Sequence, residues 1–218
     1  ISGNELRVAM GSDCIVVGAS LPRGYTHPSD AHGNLVNEFG MHLRQGPVYM
    51  EVIAPPPMAH FTTAQDVVEF EFPNPLADGR FDDAERSIAA YRGEYFIIGD
   101  MELTMFDLMH LAVGMEKLLT DMAMGASYIE PLIDRCKDFS LAIGRRLVEM
   151  GVDGIWAGDD FGGLGVPHDV DPVGGEHRRH LTRVVGRGAV VEQVVGEFDA
   201  DSLCHRAFLS KWNQGDGT

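Results

Sequence analysis

Short apolar runs alternate with amphipathic segments along the first 157 residues, and this alternation limits the fold more than any other feature. Residues 14–18, 94–98 and 154–157 are apolar runs bounded by Asp or Gly, which predicts buried strands. Residues 129–150 repeat apolar side chains at three- and four-residue steps, which predicts a long helix with one buried face. We expect the three strands to be parallel neighbours in one sheet, with the long helix packed outside it.

The remaining segments fit the same class of fold. Residues 47–53 predict another strand, residues 20–40 predict a long loop, and shorter helices are predicted near 62–70, 82–91, 105–113 and 115–124. The first strand is not followed by a Gly-x-Gly-x-x-Gly turn, so a dinucleotide-binding fold is disfavoured. The sequence therefore favours an α/β fold of the (β/α)8 TIM-barrel type. In the helix at 115–124, the side chains expected to face a core are Met115, Leu118, Leu119 and Met122.

Composition excludes some classes of partner. The formal net charge of -16 and the pI near 4.8 argue against a nucleic-acid partner, because phosphate binding requires a surplus of Lys and Arg. Three widely spaced cysteines do not form a disulfide framework, which predicts a cytoplasmic protein. The sequence shows no signal peptide and no apolar stretch of about 20 residues, so no membrane association is expected.

Carboxylates follow the last predicted strand. Active sites of (β/α)8 barrels lie at the carboxyl ends of the strands. Asp159 and Asp160 come directly after residues 154–157, beside glycines that permit close approach of a ligand. Asp13 adjoins the first strand but precedes it. We predict that these three carboxylates converge on one cavity as catalytic residues; the alternatives are a solvated turn for the pair and a turn-capping role for Asp13.

A second group of polar residues follows the strand at 94–98. Asp100, Glu102 and Thr104 lie in the same layer and are predicted to bind substrate, although Thr104 could instead cap the following helix. No metal site is predicted, because His27, His32, His42 and His60 match no metal-ligand spacing. Cys204 and His205 are adjacent in sequence, which is poor geometry for two ligands of one zinc.

Residues 11–165 resemble the uroporphyrinogen decarboxylase superfamily, which includes the haem-pathway decarboxylase and the methylcobamide-dependent methyltransferases. The order and spacing of several pieces carry this resemblance. They are Gly-Ser-Asp-Cys-Ile-Val-Val at 11–17, Gly-Asn-Leu-Val-Asn-Glu-Phe-Gly at 33–40, Pro-Asn-Pro-Leu-Ala-Asp-Gly-Arg at 73–80, Glu-Tyr-Phe-Ile-Ile-Gly-Asp-Met-Glu-Leu-Thr at 94–104, Gly-Met-Glu-Lys-Leu-Leu-Thr-Asp-Met at 114–122, and Leu-Val-Glu-Met-Gly-Val-Asp-Gly-Ile-Trp-Ala-Gly-Asp-Asp-Phe-Gly at 147–162.

The resemblance implies roles for three aspartates, but the sequence departs from the decarboxylase at other positions. Asp13 looks like the decarboxylase aspartate that holds the pyrrole N–H groups, where a carboxylate stabilises developing positive charge. Asp159 and Asp160 look like residues that line the same cavity. However, no Arg-rich segment precedes Asp13, no tyrosine follows Leu103 and Thr104, and Asp159 replaces a serine.

These departures disfavour haem-pathway decarboxylation. The Asp-Asp-Phe-Gly loop at 159–162 looks more like the methyltransferase branch, which implies a corrinoid as substrate or partner. The zinc ligands of that branch, a His-x-Cys and a later Cys, would lie beyond Pro167, where the match ends, so zinc is unsupported. Residues 1–167 are thus predicted to be a partial barrel domain and residues 168–218 a divergent tail. The alternatives are a uroporphyrinogen decarboxylase of porphyrin biosynthesis and a non-catalytic truncated remnant. An incomplete barrel would leave sheet edges uncovered, which predicts an oligomeric or aggregation-prone isolated chain.

A local frameshift would explain the break in the resemblance. Residues 167–173 can be encoded so that loss of one C gives Pro-Met-Met-Ser-Thr-Gln-Trp, and the family carries a similar Met-Ser…Trp stretch there. Residues 180–185 look family-like again. We therefore infer a frameshift between Pro167 and His180, which the nucleotide sequence would test.

Overall fold

The structure, a computed structural model, describes residues 3–47, 50–53, 55–101 and 104–158. The predicted features beyond residue 158, including the tail and the inferred frameshift, lie outside the described residues. In chain order the elements are α1 (Gly3–Ala9), β1 (Cys14–Gly18), β2 (Leu35–Val36), β3 (His42–Gln45), β4 (Met50–Ile53), α2 (Ala64–Glu69), α3 (Asp82–Tyr91), β5 (Phe96–Asp100), α4 (Met105–Val113), α5 (Met115–Met124), α6 (Ile129–Glu149) and β6 (Gly154–Trp156).

Strands β1, β5 and β6 form a parallel sheet in the order β1-β5-β6. The prediction that these three segments are parallel neighbours is confirmed, and the described part of the chain is a mixed α/β fold. The register places Gly18, Asp100 and Trp156 in one row at the carboxyl end of the sheet. The carboxyl ends of parallel strands meet at one edge of a sheet, so the loops that follow β1, β5 and β6 begin close together.

One face of this sheet is buried under helices. Ile15, Ile97 and Ile155 point to this face and are almost completely buried. Helix α6 packs against β5 and β6, so the prediction that the long helix lies outside the sheet is confirmed. Gly99 permits close packing on this face, because a Cβ atom at this position would lie 2.6 Å from Ile155 Cδ1 of β6 and 3.4 Å from Leu147 Cβ of α6.

The segment at residues 47–53 does not join the parallel sheet. Its strand, β4, pairs with β3 in a separate antiparallel sheet of order β2-β3-β4. Only four residues separate β3 from β4, and a short connection can join antiparallel strands, whereas parallel strands need a crossover of about a dozen residues or more. The predicted long loop at residues 20–40 contains only the two-residue strand β2.

Helix α6 contributes to two hydrophobic clusters. Leu132 and Cys136 belong to a cluster with α4, α5 and the antiparallel sheet, whereas Leu147 belongs to the cluster beneath the parallel sheet. The predicted apolar stripe is therefore confirmed, and it serves both clusters. The prediction for α5 is wrong in part: Leu118 is buried, but Met115 and Leu119 are exposed, because only one side of this helix contacts α4.

No described helix is both long enough and apolar enough to cross a membrane. The described residues include three strands of a parallel sheet and no closed barrel.

Candidate functional site

A cavity of about 350 Å³ opens at the carboxyl end of β1 and β5, between the two hydrophobic clusters. Gly18 and Ala19 line it from the end of β1, and Asp100 and Met101 line it from the end of β5. The end of a parallel strand is where α/β folds place their ligands, because the loops that follow the strands can vary without disturbing the sheet. This cavity is therefore the candidate functional site.

A buried ion pair forms one wall of the cavity. Both terminal nitrogens of Arg80 donate to the Glu38 carboxylate, at 3.0 and 2.7 Å. The same guanidinium also donates to the carbonyls of Ser20 and Asn74, at 3.0 and 3.2 Å. Arg80 is only 4% exposed, so these partners replace the water that it loses. These hydrogen bonds occupy the guanidinium and connect the three loop segments that carry Ser20, Glu38 and Asn74.

Gly79 shows why the chain reaches Arg80 in this conformation. Its φ of 76° is in the left-handed region, and a Cβ atom there would lie 2.5 Å from Arg23 Cβ and 3.0 Å from the Arg23 backbone nitrogen. Glycine is the residue that tolerates both conditions. The glycine at this turn thus lets the backbone just before Arg80 pass close to Arg23, which lies in the loop after β1.

Asp100 ends β5 and lines the cavity. Its neighbour in the register is Gly18, where a Cβ atom would lie 3.7 Å from Asp100 Cβ and 3.3 Å from Asp100 O. The missing side chain at Gly18 leaves the space beside Asp100 open toward the cavity. The structure therefore brings Asp100 to the predicted strand-end position.

Thr104 is buried and also lines the cavity. It occupies the N-cap position of α4, but its hydroxyl makes no capping hydrogen bond. Instead, Thr104 Oγ1 donates to the carbonyl of Gly158 at 3.2 Å, which ties the start of α4 to the segment after β6. The structure thus places Thr104 and Asp100 at one cavity.

The rest of the lining is largely apolar. Phe39 and Phe139 form an edge-to-face pair with ring centroids 5.2 Å apart. Met41, Met101 and Leu108 complete the described apolar walls together with Leu111 and Ile143. Apolar walls with a few polar groups are typical of small-molecule sites.

Asp13 is not brought together with these residues. It is exposed and precedes β1, so it lies at the amino end of the sheet, where its carbonyl accepts a hydrogen bond from Phe96 N at 3.0 Å. Five residue steps along an extended strand, about 16 Å, separate it from the row at the carboxyl end. Glu102, Asp159 and Asp160, the other predicted site residues, lie outside the described residues.

Among the described residues, no group of three or more His, Cys, Asp or Glu side chains could hold a metal ion. One histidine and one aspartate are paired away from the cavity: His42 Nδ1 lies 2.8 Å from Asp30 Oδ2. Hydrogen bonds from Asn34 and from His42 hold the pKa of Asp30 well below its usual range. Asp30 also accepts backbone hydrogen bonds, so the cluster orders the loop before β3.

Sequence reasoning missed Glu38, Arg80 and Phe139 as cavity residues. Glu38 and Arg80 are 42 positions apart, and neither lies in a motif with a chemical meaning of its own. Phe139 was correctly placed on the apolar stripe of α6, but periodicity alone cannot show where that stripe leaves the core and lines a cavity.

No protein-family profile matches the chain, and no curated protein or solved structure is significantly similar to it.

Proposed function

We propose that this chain is a uroporphyrinogen decarboxylase-like enzyme of the corrinoid-linked methyltransferase branch. In this proposal the complete fold is a (β/α)8 barrel, and the small partner of the methyl transfer binds in the cavity at the ends of β1 and β5. The resemblance of residues 11–165 supplies the class of enzyme. Support from the structure is the position of the cavity, whose lining contains Asp100 and Thr104.

The size of the cavity indicates which partner it would hold. At about 350 Å³ it is near the lower limit of sites that enclose small molecules, roughly 300–1,000 Å³. A corrinoid macrocycle is much larger, so in the proposal it lies outside the mouth of the cavity. The cavity then holds the molecule that exchanges a methyl group with the corrinoid.

The chemistry asked of the protein is binding and orientation. In the transfer, the methyl group leaves one atom without the electron pair of the broken bond, and the accepting atom supplies the pair for the new bond. No proton has to move with the methyl group. A partly enclosed, mostly apolar cavity contributes by aligning the two reacting atoms and by limiting the access of water.

Porphyrinogen decarboxylation is the weaker alternative for one reason. Its substrate carries several carboxylates, which require basic side chains. Arg80 is the basic side chain among the described lining residues, and Glu38 already neutralises it in a two-pronged contact.

A visible absorbance titration of the full chain with methylcobalamin tests the proposed function. Binding that alters the cobalt ligands should change the corrinoid spectrum in proportion to the protein. The Asp100→Asn variant should weaken the response, and Asp138→Asn, which removes the same charge from an exposed position on α6, should not. An unchanged spectrum at every protein concentration would instead support a non-catalytic remnant.

A further inference from the structure

The charged side chains of the described cavity lining all have partners within the protein. Both terminal nitrogens of Arg80 donate to Glu38, and the guanidinium also donates to two backbone carbonyls. Asp100, the remaining charged residue of this lining, has an interaction partner in the protein as well. An ion that entered the cavity would lose its water without finding an unpaired opposite charge on these residues, which is unfavourable.

Most of the remaining described lining is apolar. The apolar residues are Ala19, Phe39, Met41, Met101, Leu108, Leu111, Phe139 and Ile143. The hydrophobic effect has no direction, so an apolar ligand gains from contact with these side chains however each of them is turned. The volume of about 350 Å³ restricts that ligand to a small molecule.

A glycine of α6 shows where the end of the Met101 side chain lies. A Cβ atom at Gly144 would lie 2.5 Å from Met101 Sδ and 3.2 Å from Met101 Cε, so the thioether packs against α6 where a side chain is missing. Met101 also lines the cavity. A side chain at position 144 would push the thioether away from α6, and in a close-packed interior the cavity is the unfilled space that it can enter.

We propose that the cavity binds a small uncharged molecule with an apolar body, and that Met101, packed against Gly144, limits the size of that molecule. The proposal deepens the proposed function, because it names the class of the small partner. It rests on the proposed function for the role of that partner in methyl transfer, whereas the binding itself requires no corrinoid.

Isothermal titration of the full chain at neutral pH with three molecules of matched shape tests the class of ligand. The probes are the alcohol 3,3-dimethyl-1-butanol, the cation 3,3-dimethylbutylammonium and the anion 3,3-dimethylbutanoate. The alcohol should bind roughly tenfold more tightly than either ion, since each ion loses its hydration without gaining an unpaired opposite charge.

A bulkier alcohol, 1-adamantanol, tests the role of Met101. Gly144→Ala should fold, because the added Cβ meets the end of a flexible side chain, and it should weaken the binding of 1-adamantanol roughly fourfold relative to 3,3-dimethyl-1-butanol, the effect of about one buried methylene group. Met101→Ala should shift the same ratio in the opposite direction. Gly3→Ala, where a Cβ atom meets nothing within 4 Å, should leave the ratio unchanged.

The proposal is overturned if either ion binds as tightly as the small alcohol, if no probe binds, or if the ratio of the two alcohols is the same in the folded variants as in the unmodified chain. Circular dichroism shows which variants are folded, and if Gly144→Ala is not, Met101→Ala and the ranking of the three probes decide. These outcomes are separate from those of the methylcobalamin titration. Alcohol binding without a corrinoid response would contradict the proposed methyl transfer alone, and a corrinoid response without alcohol binding would contradict the present proposal alone.

Discussion

At the scale of single residues, the Arg80–Glu38 pair is the contact on which the cavity wall most depends. Both side chains are largely buried, so removing the charge of one leaves the other without its partner in a place that water reaches poorly. The sequence shows both residues but not their meeting, because a contact across 42 positions depends on how the intervening loops fold back. The strand-end position of Asp100 could be predicted, since it lies at the end of a recognisable apolar run.

Glu38→Gln should therefore lower the free energy of unfolding by about 3 kcal/mol, the lower end of the cost of breaking a buried ion pair. Urea unfolding at neutral pH measures this change. The matched control is Asp78→Asn, which breaks the exposed pair with Arg23 and should lower the free energy of unfolding far less, because water and salt screen an exposed pair. Equal costs for the two variants would show that the Arg80 wall is not a buried electrostatic contact.

Tyr128 and Asp121 should give the stability a measurable pH dependence. Hydrogen bonds from Lys117 and from Tyr128 lower the pKa of Asp121, and burial, followed by the contact with Asp121, raises the pKa of Tyr128. The Asp121 contribution is thus present above about pH 4 and is lost as the pH falls through the lower pKa of the folded state. The Tyr128 contribution is present below about pH 10 and is lost as the pH rises toward the higher pKa of the folded state.

Tyr128→Phe should cost about 1 kcal/mol at neutral pH, because Asp121 loses one of its hydrogen-bond donors. It should also reduce the loss of stability above about pH 10, since the ionisable hydroxyl is gone. Thermal unfolding between neutral and alkaline pH compares the two proteins. If both proteins lose the same amount of stability at alkaline pH, that loss arises from ionisable groups other than Tyr128.

At the scale of elements, the contact between α6 and β5 fixes the distance between the helix layer and the parallel sheet. Periodicity predicted both elements and their buried faces, because these follow from local sequence. The alternation of strands and helices predicted that the helix packs against the sheet. The pairing of β4 with β3 was not predicted, since its apolar run is equally compatible with a parallel or an antiparallel partner.

Gly99→Ala should destabilise the protein by about 1–3 kcal/mol, because the added Cβ would meet Ile155 Cδ1 at 2.6 Å, Val152 Cγ2 at 3.3 Å and Leu147 Cβ at 3.4 Å. Gly3→Ala is the control, since a Cβ atom there meets nothing within 4 Å. Denaturant unfolding of the two variants gives the comparison. A Gly99→Ala protein as stable as the control would mean that Ile155, Val152 and Leu147 pack less closely around Gly99 than the structure has it.

At the scale of the whole molecule, the other face of the parallel sheet carries exposed aromatic side chains among the described residues. Phe96 and Trp156 are 51% and 62% exposed, and the register places both on the side opposite the buried isoleucines. Exposed apolar side chains on a sheet promote association, which the net charge of -16 slows without covering them. The sequence analysis predicts association from an incomplete barrel, but it does not show which aromatic side chains are exposed.

We therefore expect the isolated chain to self-associate with rising concentration, and Trp156→Ser to weaken this association. Met124→Ser, at an exposed position on α5, is the control and should change it little. Sedimentation velocity over a range of concentrations measures both. A single monomeric species at all concentrations would contradict the expectation.

The proposal that methyl transfer takes place at the cavity is tested most directly by methionine-methyl NMR during a titration with methylcobalamin. Met41 and Met101 line the cavity, whereas Met10 and Met124 are each 79% exposed and lie outside its lining. The account predicts that the Met41 and Met101 signals shift as the corrinoid binds at the mouth and that the Met10 and Met124 signals do not. Unchanged signals from Met41 and Met101, or shifts confined to Met10 and Met124, would contradict it.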